Sequence, residues 1–114
     1  MDLGRGTVGF QRGDIVLVDL DPTMGSEMKK VRPCVIVSPE KINSRLRTVI
    51  VVPMTSGGSQ LTFRPRMEVD GRESVFAIDQ LRVIDRRRIA HRISRIPQAQ
   101  FAQLLTSLVG LFAP

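Results

Sequence analysis

Between Ile15 and Ile96 the apolar residues of this chain come in short runs rich in Val and Ile, each closed by Gly, Pro, Ser or Asp. β-Branched side chains crowd a helix but sit well on a pleated surface, so such runs specify short strands joined by turns. Strands are expected at Ile15–Leu20, opened by Gly13-Asp14, and at Cys34–Val37, stopped by Ser38-Pro39. Thr48–Val52 is apolar on both faces and therefore reads as a central strand. Between the first two lies a polar segment carrying Pro22 and Gly25, read as a long loop over 21–30.

Ser56-Gly57-Gly58-Ser59 reads as a turn. The cleanest period of two follows, with Phe63, Pro65, Met67 and Val69 alternating with Arg64, Arg66, Glu68 and Asp70. Pro65 lacks a backbone donor, which points to an edge strand or a bulge. Asp70-Gly71 turns the chain into further strand at Val75–Ile78 and Leu81–Ile84, with another short piece at Ile93–Ile96. After Pro97 the period changes, and Phe101, Leu104, Leu105, Leu108 and Phe112 fall at helical spacing. Five to seven strands and one amphipathic helix describe a mainly β fold with α, a small bent sheet or barrel. Residues 1–12, with three glycines, read as a flexible leader, and 13–114 as one domain.

The formal charge is +6, from 17 basic and 11 acidic residues, and 14 of the basic residues are Arg. Arg offers a planar fork that grips phosphate and stacks on bases, which suits nucleic acid. A solvated basic face or an acidic partner protein fits the same balance. Cys34 is the one cysteine, so no disulfide within the chain is possible. No apolar run reaches the roughly 20 residues of a membrane span, and the N-terminus lacks the layout of a secretory signal. A cytoplasmic protein with no membrane association is expected.

Metal chemistry is disfavoured, because His91 and Cys34 are the only imidazole and thiol and no carboxylate cluster has a hard-metal ligand count. His91 lies in an Arg-rich stretch that opposes the protonated imidazole a general base must become. Two local groups remain. In the first, a polar loop runs into a strand at Val31-Arg32-Pro33, and Pro33 biases Arg32 towards extended backbone. An Arg so fixed can hold a phosphate or pair with a surface carboxylate. The second is Pro53-Met54-Thr55-Ser56, hydroxyls at the end of the central strand.

Taken in order, these segments resemble the MazF/PemK toxin family over about Gly13–Phe112. The motifs are Gly13-Asp14-Ile15-Val16, Asp19-Leu20-Asp21-Pro22, Gly25-Ser26-Glu27, Arg32-Pro33, Pro53-Met54-Thr55-Ser56 and Asp79-Gln80, then the closing helix. Each is weak alone; the ordered set is specific. The resemblance implies an SH3-like or plasmid-maintenance-toxin β-barrel closed by that helix, a homodimer, and a sequence-selective endoribonuclease that needs no metal or other cofactor. It sets the catalytic Arg on Arg32 and the catalytic Thr on Thr55, with Glu27, Asp79 and Gln80 lining the RNA site. The PemK branch has a His in the first loop and an Arg two residues before the Asp; here Ser26 and Ala77 stand there, which favours the MazF branch.

On that reading the 2′-hydroxyl attacks the adjacent phosphorus and leaves a 2′,3′-cyclic phosphate and a 5′-hydroxyl. Arg32 would steady the phosphorane charge and Thr55 would bind a phosphate oxygen or orient the 2′-hydroxyl. Glu27 is the first candidate for base and Asp79 the second, although Asp79 held structurally by Arg82 fits equally. Ser26, Lys29 and Lys30 of the first loop, with Ser56, Asp79 and Gln80, would contact single-stranded RNA. Phe10 and Phe63 are the stacking candidates, and Arg86 and Arg87 of the Arg86–Arg88 run form an electrostatic track or a solvated turn. An antitoxin with an acidic, disordered segment is the expected partner. Two rival classes stand beside this: a gyrase-poisoning toxin of the same fold, which works through a Trp this chain lacks, and a non-catalytic RNA-binding barrel.

Overall fold

Successive residues of a strand face opposite sides of a sheet, so a run that is apolar at every position must be covered on both. In a computed structural model that describes residues 9–56 and 61–114, the first three strands meet that demand. They are β1 (Asp14–Asp19), β2 (Val31–Ile36) and β3 (Thr48–Thr55), followed by β4 (Arg66–Val69), β5 (Arg72–Phe76), β6 (Arg82–Asp85) and β7 (Ile89–Arg95). A short helix, α1 (Glu40–Asn43), precedes β3, and α2 (Gln98–Phe112) closes the chain. The strands form one curled antiparallel sheet in the order β4-β5-β3-β2-β1-β7, with β6 added to β3. β3 is indeed central, bonded to β2, β5 and β6.

The apolar residues divide into two clusters. Val16, Val18, Cys34, Ile36, Val49, Val51 and Ile84 pack on one face. Ile15, Val35, Val52, Met54, Phe76 and Leu104 pack on the other, beneath the β4–β5 hairpin and α2. The curl lets the sheet bury both faces with aliphatic residues, because it wraps around one cluster and lays its back under the helix.

Several boundaries differ from the sequence reading. β2 begins three residues before Cys34, and β3 runs on to Thr55. Phe63 is half exposed and outside β4, so the alternation is kept only at Met67 and Val69. The chain here turns away from the sheet to bring Arg64 to Asp79. Asp70 and Gly71 both have positive φ, 54° and 78°, the backbone of a tight two-residue hairpin turn. Ile78–Gln80 is a 3-10 turn rather than strand. In α2 only Leu104 is fully buried, and Phe112 is exposed.

The turn expected around Gly57-Gly58 falls largely outside the described residues, as do residues 1–8 of the leader. Residues 10–12 are held: Phe10 packs on the first cluster, and the Arg12 backbone donates to Glu40 at 2.7 Å. The Arg12 guanidinium lies over the Phe101 ring.

Candidate active site

Pro33 cannot donate to a ladder and restricts the residue before it to extended backbone, so Arg32 is delivered in strand conformation at the start of β2. Arg32 pairs with Val18 of β1. On the other edge β2 meets β3 with Cys34 opposite Pro53 and Val35 opposite Val52. Continuing that antiparallel register by two residues brings Arg32 level with Thr55, the last residue of β3. Opposed residues point to the same face of a sheet, here the face of Cys34, and both border one open groove of about 590 Å³ whose lining by Ile15, Val31, Pro33 and Met54 comes from the other face.

Ser56 lines the same groove, with Val31 and Pro33, the β4–β5 hairpin from Val69 to Ser74, and Ile93 and Ser94 of β7. A hydrogen bond of 2.8 Å from Ser94 Oγ to Asp70 ties the hairpin tip to β7. Arg32 donates from Nε to the Lys29 carbonyl at 3.1 Å. No other hydrogen bond is made by its guanidinium among the described residues, which leaves the Nη hydrogens for a ligand. Beneath it Cys34 is sealed in the core, and burial pushes its thiol up to about 12. The thiol is therefore structural, not a nucleophile.

Arg32, Thr55 and Ser56 are thus brought together, and the other residues singled out from the sequence lie elsewhere. Ser26, Glu27, Lys29 and Lys30 belong to the first loop and do not line the groove. Glu27 Oε1 accepts from the Met24 N–H at 2.8 Å while its own N–H donates to the Met24 carbonyl at 3.0 Å. Gln80 Oε1 accepts from the Met28 N–H at 3.2 Å. Asp79 is gripped by Arg64, not Arg82, through two contacts of 2.7 Å. That charge-assisted pair, more than any other cause, holds the Asp79 carboxyl below the usual carboxylate range, which weakens it as a base. Arg82 reaches the Leu20 carbonyl instead.

The Arg run also departs from expectation. Arg86 is buried, 7% exposed, and donates to the carbonyls of Asn43 and Leu46. A guanidinium used this way is a structural plug and is not part of a surface track. Arg88 caps the Asp19 and Asp21 carbonyls, and only Arg87 stands in solvent, paired with Asp85 at 3.0 Å. The run follows Asp85, which pairs with Thr48 at the opposite end of β3 from Thr55. An eight-residue strand puts roughly 20 Å between them. His91 is exposed on β7 and outside the groove. Among the described residues no three His, Cys, Asp or Glu side chains are grouped as metal ligands.

Arg72, which lines the groove from β5, was missed. Its sequence signal was an exposed Arg directly after a hairpin turn, and nothing local indicates that β5 lies beside β3. Of the stacking candidates, Phe10 is used in packing and Phe63 remains half exposed.

Comparison with known proteins bears on the family and the fold. Residues 11–112 match the family described as PemK-like, MazF-like toxin of type II toxin–antitoxin systems. The chain is 38% identical to the endoribonuclease PemK of Escherichia coli over 112 residues, covering 93% of the chain and 84% of that protein. It is 29% identical to the endoribonuclease MazF of Staphylococcus epidermidis, covering 87% and 88%. The MazF crystal structure from Deinococcus radiodurans superposes with a TM-score of 0.78 at 25% identity, covering 90% of this chain and 94% of that one. A mycobacterial endoribonuclease solved in complex with its cognate antitoxin shares the fold, with a TM-score of 0.73 at 18% identity over 93% and 96% of the two chains.

Proposed function

The chain belongs to the PemK-like, MazF-like toxin family of type II toxin–antitoxin systems, and on that footing we propose that it is an endoribonuclease cutting single-stranded RNA by attack of the RNA's own 2′-hydroxyl. The observation that carries this is the placement of Arg32 and Thr55 level with each other and on the same face of two neighbouring strands, at the border of one open groove. In the reaction the 2′-oxygen forms a bond to phosphorus while the bond to the 5′-oxygen breaks. The 2′ proton passes to a base and a proton is returned to the leaving oxygen. Charge builds on the non-bridging oxygens of the phosphorane, where the Nη hydrogens of Arg32 act as a preorganised fork. Thr55 donates its hydroxyl to the same phosphate. Glu27 stays the candidate base on chemical type; it does not line the groove, so the first loop would have to bring to it the carboxylate oxygen that Met24 does not use.

Ser26, Lys29, Lys30 and Ser56 are assigned to RNA contacts, and Arg72 joins them from the opposite wall. The route uses only these groups, so cleavage is expected to proceed in EDTA and to leave 2′,3′-cyclic phosphate and 5′-hydroxyl ends, identified by end-labelling. Activity lost in EDTA and regained with a divalent ion contradicts the mechanism, and RNA bound but never cut leaves a non-catalytic barrel.

We also assign a homodimer and an antitoxin partner. Val31 and Ile93 on the groove rim, and Val109, Leu111 and Phe112 on α2, are exposed apolar side chains that this chain alone does not cover. An acidic, disordered antitoxin segment would lie along the groove, opposing the +6 charge. Light scattering is expected to give the dimer mass, and antitoxin peptide is expected to displace RNA. A monomer at micromolar concentration, or antitoxin and RNA bound together at full affinity, counts against the respective assignment. Among the described residues no helix is long and apolar enough to cross a membrane.

A further inference from the structure

We infer that the Asp79-Gln80 turn positions Arg32 through the first loop; this rests on the ribonuclease reading above. The path is continuous in named contacts. Arg64 holds both carboxylate oxygens of Asp79 at 2.7 Å, which anchors the 3-10 turn Ile78–Gln80 beside β3. Gln80, the last residue of that turn, reaches across 52 residues of sequence to accept the Met28 N–H with Oε1 at 3.2 Å. Immediately after Met28, the Lys29 carbonyl receives Arg32 Nε at 3.1 Å.

The next residue shows that the loop needs holding. Lys30 has φ 71°, a left-handed conformation that is unfavourable for a residue with a Cβ. Such a conformation persists only where its surroundings over-determine it. Here they do so from both sides: Leu20 N–H donates to the Lys30 carbonyl at 3.0 Å, and Gln80 pins Met28 two residues before. A guanidinium on a long flexible stem must be aimed within about 0.5 Å to act on a phosphorane. The Lys29 carbonyl is the one partner that aims Arg32 among the described residues, and the clamp keeps that carbonyl in place.

Gln80→Met keeps the bulk of the side chain and removes its acceptor. Single-turnover cleavage is expected to fall about tenfold, while affinity for a fully 2′-O-methylated single-stranded RNA stays within about twofold. Hydrogen exchange in the segment 24–30 should accelerate. In an Arg32→Ala background the same substitution should cost nothing further, because a residue acting through Arg32 has no target once it is gone. Gln80→Ala, the second variant, should repeat the pattern. Unchanged cleavage, lost RNA affinity with unchanged loop exchange, or a full further loss in the Arg32→Ala background overturns the inference. Wild-type cleavage by Arg32→Ala overturns the assignment of Arg32 itself, and loop exchange separates that failure from failure of the clamp.

Discussion

Arg32→Lys is expected to lower the single-turnover rate of RNA cleavage by about 10²-fold or more, the scale of one lost transition-state donor. Lysine keeps the positive charge but is a point charge on a flexible stem, without a planar fork to meet two phosphorane oxygens together. It also has no Nε–H to give the Lys29 carbonyl, so the restraint that aims the side chain goes too. The loss should fall on the rate and not on RNA affinity, since the charge that attracts the phosphate remains. Thr55→Val provides the second arm. It preserves β-branching at the end of β3 and removes only the hydroxyl, so activity should drop while the melting temperature holds. Wild-type cleavage by Arg32→Lys would falsify the placement of the active site in this groove.

Arg86→Ala is expected to act on stability instead of on RNA. The guanidinium is nearly enclosed and serves the carbonyls of Asn43 and Leu46, while its backbone N–H donates to Arg47 at 2.9 Å. Asn43 is in turn bonded to Ser38, whose hydroxyl accepts from the Ile50 N–H at 3.0 Å at the start of the central strand. Truncation leaves buried acceptors without their charged donor and opens a cavity, at a cost of about 2–3 kcal/mol. For a domain of this size that is a fall in melting temperature of roughly 10 °C. Arg87→Ala, one residue on and exposed, should change stability by less than about 0.5 kcal/mol. An unchanged melting temperature together with weakened RNA binding in Arg86→Ala would return Arg86 to the surface track.

The contrast between Arg32 and Arg86 shows where sequence reading succeeds. Arg32 was legible because its cause is local: Pro33 fixes the backbone of the preceding residue, and a β-branched run follows. Thr55 was legible as a hydroxyl where the central strand ends. Asp70-Gly71 was legible because few residues accept positive φ. Arg86 carried no such sign. Its neighbours Arg87 and Arg88 have the same side chain, yet one stands in solvent and the other caps two loop carbonyls. The same holds for Asp79, where Arg82 was the nearer candidate in sequence and Arg64 is the partner in space.

By itself, then, the sequence determined the strand-and-turn character of residues 14–95, the helix after Pro97, the toxin family, and the two residues most suited to a phosphate. These follow from sterics and periodicity acting over a few neighbouring residues, and from motifs kept in order along the chain. Only the tertiary structure decided that Arg32 and Thr55 share a groove with Arg72. It alone decided that the apolar residues form two clusters, and that Arg64, Arg86 and Gln80 are spent on holding the fold and the first loop. Those outcomes depend on strand order and register between segments tens of residues apart. A charged side chain is committed by whichever carbonyl or carboxylate the pairing brings within reach, and no local pattern records which one that will be.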